Sequence, residues 1–120
     1  MNIKDLSIQI ADPAKDAINN FMEHLKFHGE KLSRLDQELM SDLHNLKNDK
    51  DLGKILLIIM KHPGECICNL FSCDELEYQI PVFIPFLFYC DLIESLPNQF
   101  CYKITKLGIN VLKQNNLIEI

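Results

Sequence analysis

Between Ile18 and Leu46 the chain repeats a position at alternating steps of three and four. Residues 18, 21, 25, 28, 32, 35, 39, 42 and 46 read Ile, Phe, Leu, His, Leu, Leu, Leu, Asp and Leu. Seven of the nine are apolar, while the residues between them are mostly Asn, Glu, Lys, Gln, Asp and Ser. Such steps hold one stripe on a helix, and their strict alternation is the pattern of a coiled-coil seam. Asp12-Pro13 is a good start for it, an Asx cap followed by proline in the first turn. One long amphipathic helix to about Asn48 is therefore expected. Gly29 is the weak point, because glycine costs ~1 kcal/mol in a helix interior; two helices hinged there are the alternative. Either way the stripe needs a covering surface. The expectation is a homodimer through Ile18, Phe21, Leu25, Leu32, Leu35, Leu39 and Leu46, with His28 as a polar register-setting residue.

Asn48-Asp49-Lys50 is a short polar break, so residues 1–48 and 51–120 are read as two units. After the break, Leu52, Ile55, Leu56, Ile58, Ile59 and Met60 predict a helix that is apolar on most sides and hence buried. His62-Pro63-Gly64 ends it. Glu65–Asn69 can extend into a short strand and Leu70–Leu76 can form a brief helix. Tyr78–Tyr89 is apolar almost throughout; Pro81 suits a first helical turn, whereas Pro85 is harder to place. Asp91–Leu96 and Phe100–Thr105 are strand candidates around the turn pair Pro97-Asn98. Thr105 then caps a last helix, Lys106–Gln114.

This order resembles the winged helix-turn-helix family over roughly residues 51–115. Three pieces carry the resemblance. The run from Lys54 to Gly64 resembles the family's first helix and its exit. Phe88–Ser95 resembles the end of the recognition helix entering the first wing strand, with Asp91 where the family usually has glycine. Tyr102–Leu112 resembles the second wing strand and last helix, with Thr105 and Gly108 in register. The resemblance implies a mainly α fold with a small β wing.

The resemblance also implies DNA binding, and here the residues depart from it. Recognition helices place polar and basic side chains on base edges and phosphates. Tyr78–Tyr89 contains no Lys or Arg, and the acids Asp74, Glu75 and Glu77 precede it. The chain has 12 basic against 17 acidic residues. Arg34 is its single arginine, while affinity for a duplex rests on several cations displacing counterions. The expected function is accordingly a non-enzymatic, dimeric protein-interaction module, of inhibitor, immunity or adaptor type. It would meet a basic protein partner, with Phe83 and Phe86 on the contact face and Ile80, Ile84 and Leu87 inward. The alternative is a dimeric transcription regulator that gathers Arg34, Lys103, Lys106 and Lys113 against DNA.

His62, Cys66, Cys68 and Cys73 invite a third reading, a metal- or cluster-sensing regulator. The Cys-x2-Cys pairs of such sites are missing, and thiols in or beside apolar segments act as small hydrophobes. No metal or cofactor is expected. Five cysteines, an odd count, and an N-terminus without a secretory core point to reduced thiols in the cytoplasm. No apolar run reaches the ~18–20 residues of a membrane span. Neither a phosphate loop nor a Gly-x-Ser-x-Gly elbow is present, so no enzyme is expected.

Overall fold

In the computed structural model, which describes residues 11–48, 50–71, 75–98 and 100–119, the chain enters its first helix at Asp12. That side chain accepts from the Lys15 N–H at 3.1 Å, and Pro13 stands where an N–H would have no partner anyway. Helix α1 (Pro13–Phe27) stops at Gly29, whose φ is 65°. Gly29 N–H donates to the Lys26 carbonyl at 3.2 Å and Glu30 N–H to the Leu25 carbonyl at 2.9 Å. This pair of bonds closes a helix on a left-handed residue. Ser33 then starts α2 (Arg34–Asp42) with a capping box: Asp36 N–H donates to Ser33 Oγ at 3.0 Å, and Ser33 N–H to Asp36 Oδ2 at 3.2 Å. Two helices take the place of one.

That hinge changes what the apolar stripe does. Phe21, Leu25, Leu39 and Leu46 are buried, and Ile18 and Leu32 are half-buried against the same cluster. Leu35 alone among the apolar seam residues is exposed, at 45%. The expected two-chain seam is corrected at Phe21, Leu25, Leu39 and Leu46, because folding back at Gly29 turns these side chains onto the chain's own core. His28, expected on the seam, is exposed at the end of α1.

Helix α3 (Lys50–Lys61) buries Leu52, Ile55, Leu56 and Ile59, as its pattern predicted. The segment expected as a strand supplies one bridge residue, Cys66, opposite Cys101. It then turns into α4 (Ile67–Leu70) and, further on, a 3-10 turn (Glu75–Tyr78). Helix α5 (Ile80–Tyr89) contains Pro85. Proline removes the N–H that would reach the Pro81 carbonyl, but both prolines lie on the exposed side, where that carbonyl can be hydrated. α5 ends like α1: Asp91 has φ 62°, its N–H donates to the Phe88 carbonyl, and Leu92 N–H donates to the Leu87 carbonyl, both at 3.0 Å.

Strands β1 (Ile93–Ser95) and β2 (Tyr102–Ile104) pair antiparallel, with Glu94 opposite Lys103. They form the one sheet among the described residues, shorter at each end than the sequence suggested. Helix α6 (Lys106–Gln114) has the predicted bounds, and Thr105 Oγ1 accepts from the Gly108 N–H at 3.0 Å. Gly108 is required there: a Cβ at this position would collide with the Leu92 carbonyl.

The fold is mainly helical with a small β wing, and no described helix is long and apolar enough to cross a membrane. α1 packs on α5 and α6, and α3 packs on α6 and β2. A single apolar cluster runs from Ala14 to Leu112 and draws on both sides of the break near residue 49, so the two sides share one core. Each large aliphatic side chain taken fully out of water there stabilises the fold by about 1.5–3 kcal/mol before entropy is counted.

Candidate functional site

The packing of α5 decides which of its side chains a partner can reach. At 100° per residue, Ile80, Ile84 and Leu87 fall on one side. Ile84 and Leu87 are buried as expected, and Ile80 is half-buried against the core. Phe83 and Phe86 flank that side rather than oppose it. Phe86 is buried against Phe21, with ring centroids 4.9 Å apart, and Phe83 is half-buried against the core. The expected contact face is therefore corrected. The outward arc carries Pro81, Val82, Pro85 and Tyr89, with Phe88 at its edge. Their 3- and 4-residue spacing is the sequence signal that marks this face.

This outward arc is uncharged and lies between hollows of different character. On the wing side, an apolar groove of about 350 Å³ is lined by Ile67, Ile80, Pro81, Ile84, Phe100 and Tyr102, among others, none of them charged. Toward α1 and α2, a hollow of about 160 Å³ brings Glu30 and Asp36 beside Val82, Pro85 and Tyr89. At the far end of α5, Glu23 and Asp91 border Phe88 and Tyr89 in a hollow of about 340 Å³. Tyr89 is held by stacking on His24, with centroids 3.6 Å apart and planes 13° from parallel, and His28 packs against His24 at 4.5 Å. Asn20 Nδ2 donates to the Cys90 carbonyl at 3.2 Å, tying α1 to the end of α5. The result is an apolar ridge tied to α1, with carboxylates along one flank.

The cations singled out in the sequence are already engaged in part. Arg34 Nε lies 3.7 Å from Glu38 Oε1 on the surface of α2. Lys103 Nζ is 2.9 Å from Glu94 Oε1 across the wing. Lys106 is exposed and Lys113 half-buried, two turns apart on α6. None of the four lines the hollows around α5.

Of the metal candidates, His62 Nδ1 is 3.3 Å from Glu65 Oε2, and Cys73 lies outside the described residues. Among the described residues no group of three or more His, Cys, Asp or Glu side chains is arranged to hold a metal ion. Cys66 and Cys68 do neighbour each other. The Cys68 N–H and thiol, hydrogen-bonded to the Cys66 sulfur, hold its pKa below the ordinary range, and the same contact raises that of Cys68. Burial pushes the Cys90 thiol far up, as befits a core residue.

In comparison with known proteins, the chain matches no family model, no curated protein and no solved structure.

Proposed function

We propose that this chain is a non-enzymatic protein-interaction module of winged-helix type, which presents the outward face of α5 to a partner rich in basic residues. The observation that carries the reading is the uncharged ridge of Pro81, Val82, Pro85 and Tyr89, with Glu23, Glu30, Asp36 and Asp91 along its flank. Contiguous exposed apolar side chains on a folded surface favour protein contacts. A rim of one charge sign steers encounter with its opposite. Support for the winged-helix assignment comes from element order, from Thr105 and Gly108 at the start of α6, and from the positive φ of Asp91 where that family favours glycine. An inhibitor, immunity or adaptor role fits such a surface. Because the chain covers its own stripe, the proposal places the partner contact on α5 instead of α1 and α2, and self-association would have to use other surface.

A DNA-binding regulator is the second reading, favoured by the same element order. It requires Arg34, Lys103, Lys106 and Lys113 to leave their present arrangement for phosphates, two of them giving up a carboxylate partner. A fluorescence-anisotropy titration with mixed duplexes at low salt separates the two. The docking proposal expects no saturation at duplex concentrations up to roughly 10 µM, within the range of ordinary non-specific affinities. Micromolar or tighter binding that weakens steeply with added salt would favour the regulator.

A further inference from the structure

Cys66 and Cys101 face each other across an isolated antiparallel bridge. The Ile67 N–H donates to the Phe100 carbonyl at 2.9 Å, so this bond flanks the cysteine pair and does not join it. Residues opposed at such a site have Cα atoms about 4.5 Å apart. A disulfide spans roughly 4.4–6.8 Å between Cα atoms, so the backbone is already spaced for one. The described cysteines are all reduced. Cys66 is half-buried and Cys101 buried, while Cys68, the second residue of α4, is exposed.

We propose that Cys66 and Cys101 are an exchange site for low-molecular-weight disulfides, closing into a cross-strand disulfide that fastens the wing to the turn before α4. The Cys66 thiol gives its proton to water, and its sulfur attacks one sulfur of the small disulfide. A Cys66 mixed disulfide forms and one small thiolate leaves, taking up a proton. The Cys101 thiol then loses its proton, and its sulfur attacks the Cys66 sulfur. The new disulfide forms and the second small thiolate departs and is protonated. Two protein thiols are oxidised and one small disulfide is reduced to two thiols. Hydrogen bonds to the Cys66 sulfur from the Cys68 N–H, and from the Cys68 and Cys101 thiols, favour its thiolate as the attacking group. The consequence is a wing whose freedom to part from the start of α4 depends on redox poise. This inference does not depend on what binds α5.

The test is to incubate the full, reduced chain with oxidised glutathione, quench with acid and read intact mass and digest peptides by mass spectrometry. The expected result is a loss of two hydrogens, a peptide joining Cys66 to Cys101, and reversal by excess reduced glutathione. Cys68→Ser, which loses the thiol donor beside the Cys66 sulfur but keeps the backbone N–H there, should form the link more slowly and still close it. In Cys101→Ser a glutathione adduct should accumulate on Cys66. Adducts confined to Cys68, a Cys66–Cys68 link, loss of the link in Cys68→Ser, or an unchanged mass of the folded wild type would each overturn the proposal.

Discussion

The buried carboxamide of Asn115 holds the backbone of Leu46: the Leu46 N–H donates to Asn115 Oδ1 at 2.9 Å. Its Nδ2 donates in turn to the carbonyls of Leu43 at 2.8 Å and Val111 at 2.9 Å. One side chain at the end of α6 thus satisfies the backbone where the chain leaves α2, 69 residues earlier. Removing it strands a buried donor and acceptor, each worth about 1–3 kcal/mol. Asn115→Ala should cost about 3 kcal/mol in urea unfolding, with the midpoint lowered and the slope unchanged.

The hinge at Gly29 makes a prediction that a continuous seam would not. On a seam Leu35 and Leu39 are equivalent. Here Leu39 is 3% exposed and Leu35 is 45% exposed. Leu39→Ala should therefore destabilise by about 2–5 kcal/mol, the usual range for emptying a core leucine site. Leu35→Ala should cost under about 1 kcal/mol, as surface changes do. Equal losses at the two positions, together with a dimeric mass by light scattering, would restore the two-chain seam.

Gly108 and Asp91 sit on the two sides of the junction between α5, β1 and α6. Gly108→Ala drives a methyl into the Leu92 carbonyl and should cost about 1–3 kcal/mol or more, as overpacking does. Asp91→Gly relieves a left-handed residue and should raise stability by about 1 kcal/mol. Thermal melts of the two variants should move in opposite directions.

Asp12 joins α1, α6 and the turn after α2. It caps α1, accepts from Gln114 Nε2 at 2.9 Å, and has His44 Nε2 at 2.9 Å. The Gln114 bond, then the Lys15 N–H and His44, hold its pKa at about 2, below the usual 3.8. A depressed carboxylate pKa contributes stability that is fully present above the unfolded value and lost as pH falls through the folded one. Urea midpoints should therefore decline between about pH 4 and pH 2. Asp12→Asn, which keeps an oxygen for the cap, should flatten that decline.

Much of this fold could be read in the sequence, and the misreadings have physical causes. The bounds of α6 and the apolar burial of α3 followed from capping and periodicity. The 3-and-4 stripe was seen correctly, but its spacing is the same whether one helix meets a second chain or two helices meet their own core. The deciding signals were local: Gly29 as a left-handed stop, and Ser33 with Asp36 as a capping box four residues on. On α5 the run is apolar on every side, so its pattern does not tell which face is covered: Phe86 fills the gap beside Phe21 while Pro81, Val82 and Pro85 face out. The opposition of Cys66 and Cys101 was out of reach, since nothing local in a sequence reports which residues meet across 35 positions.

The central claim is that the outward face of α5 touches protein. The most direct measurement places a photo-crosslinking residue at Val82 or Tyr89, and separately at Lys106 or Lys113, and irradiates the full chain in an extract of its source cells. One basic protein should be crosslinked from α5 and absent from the α6 positions. Crosslinks to nucleic acid from Lys106 and Lys113, with none to protein from α5, would contradict it.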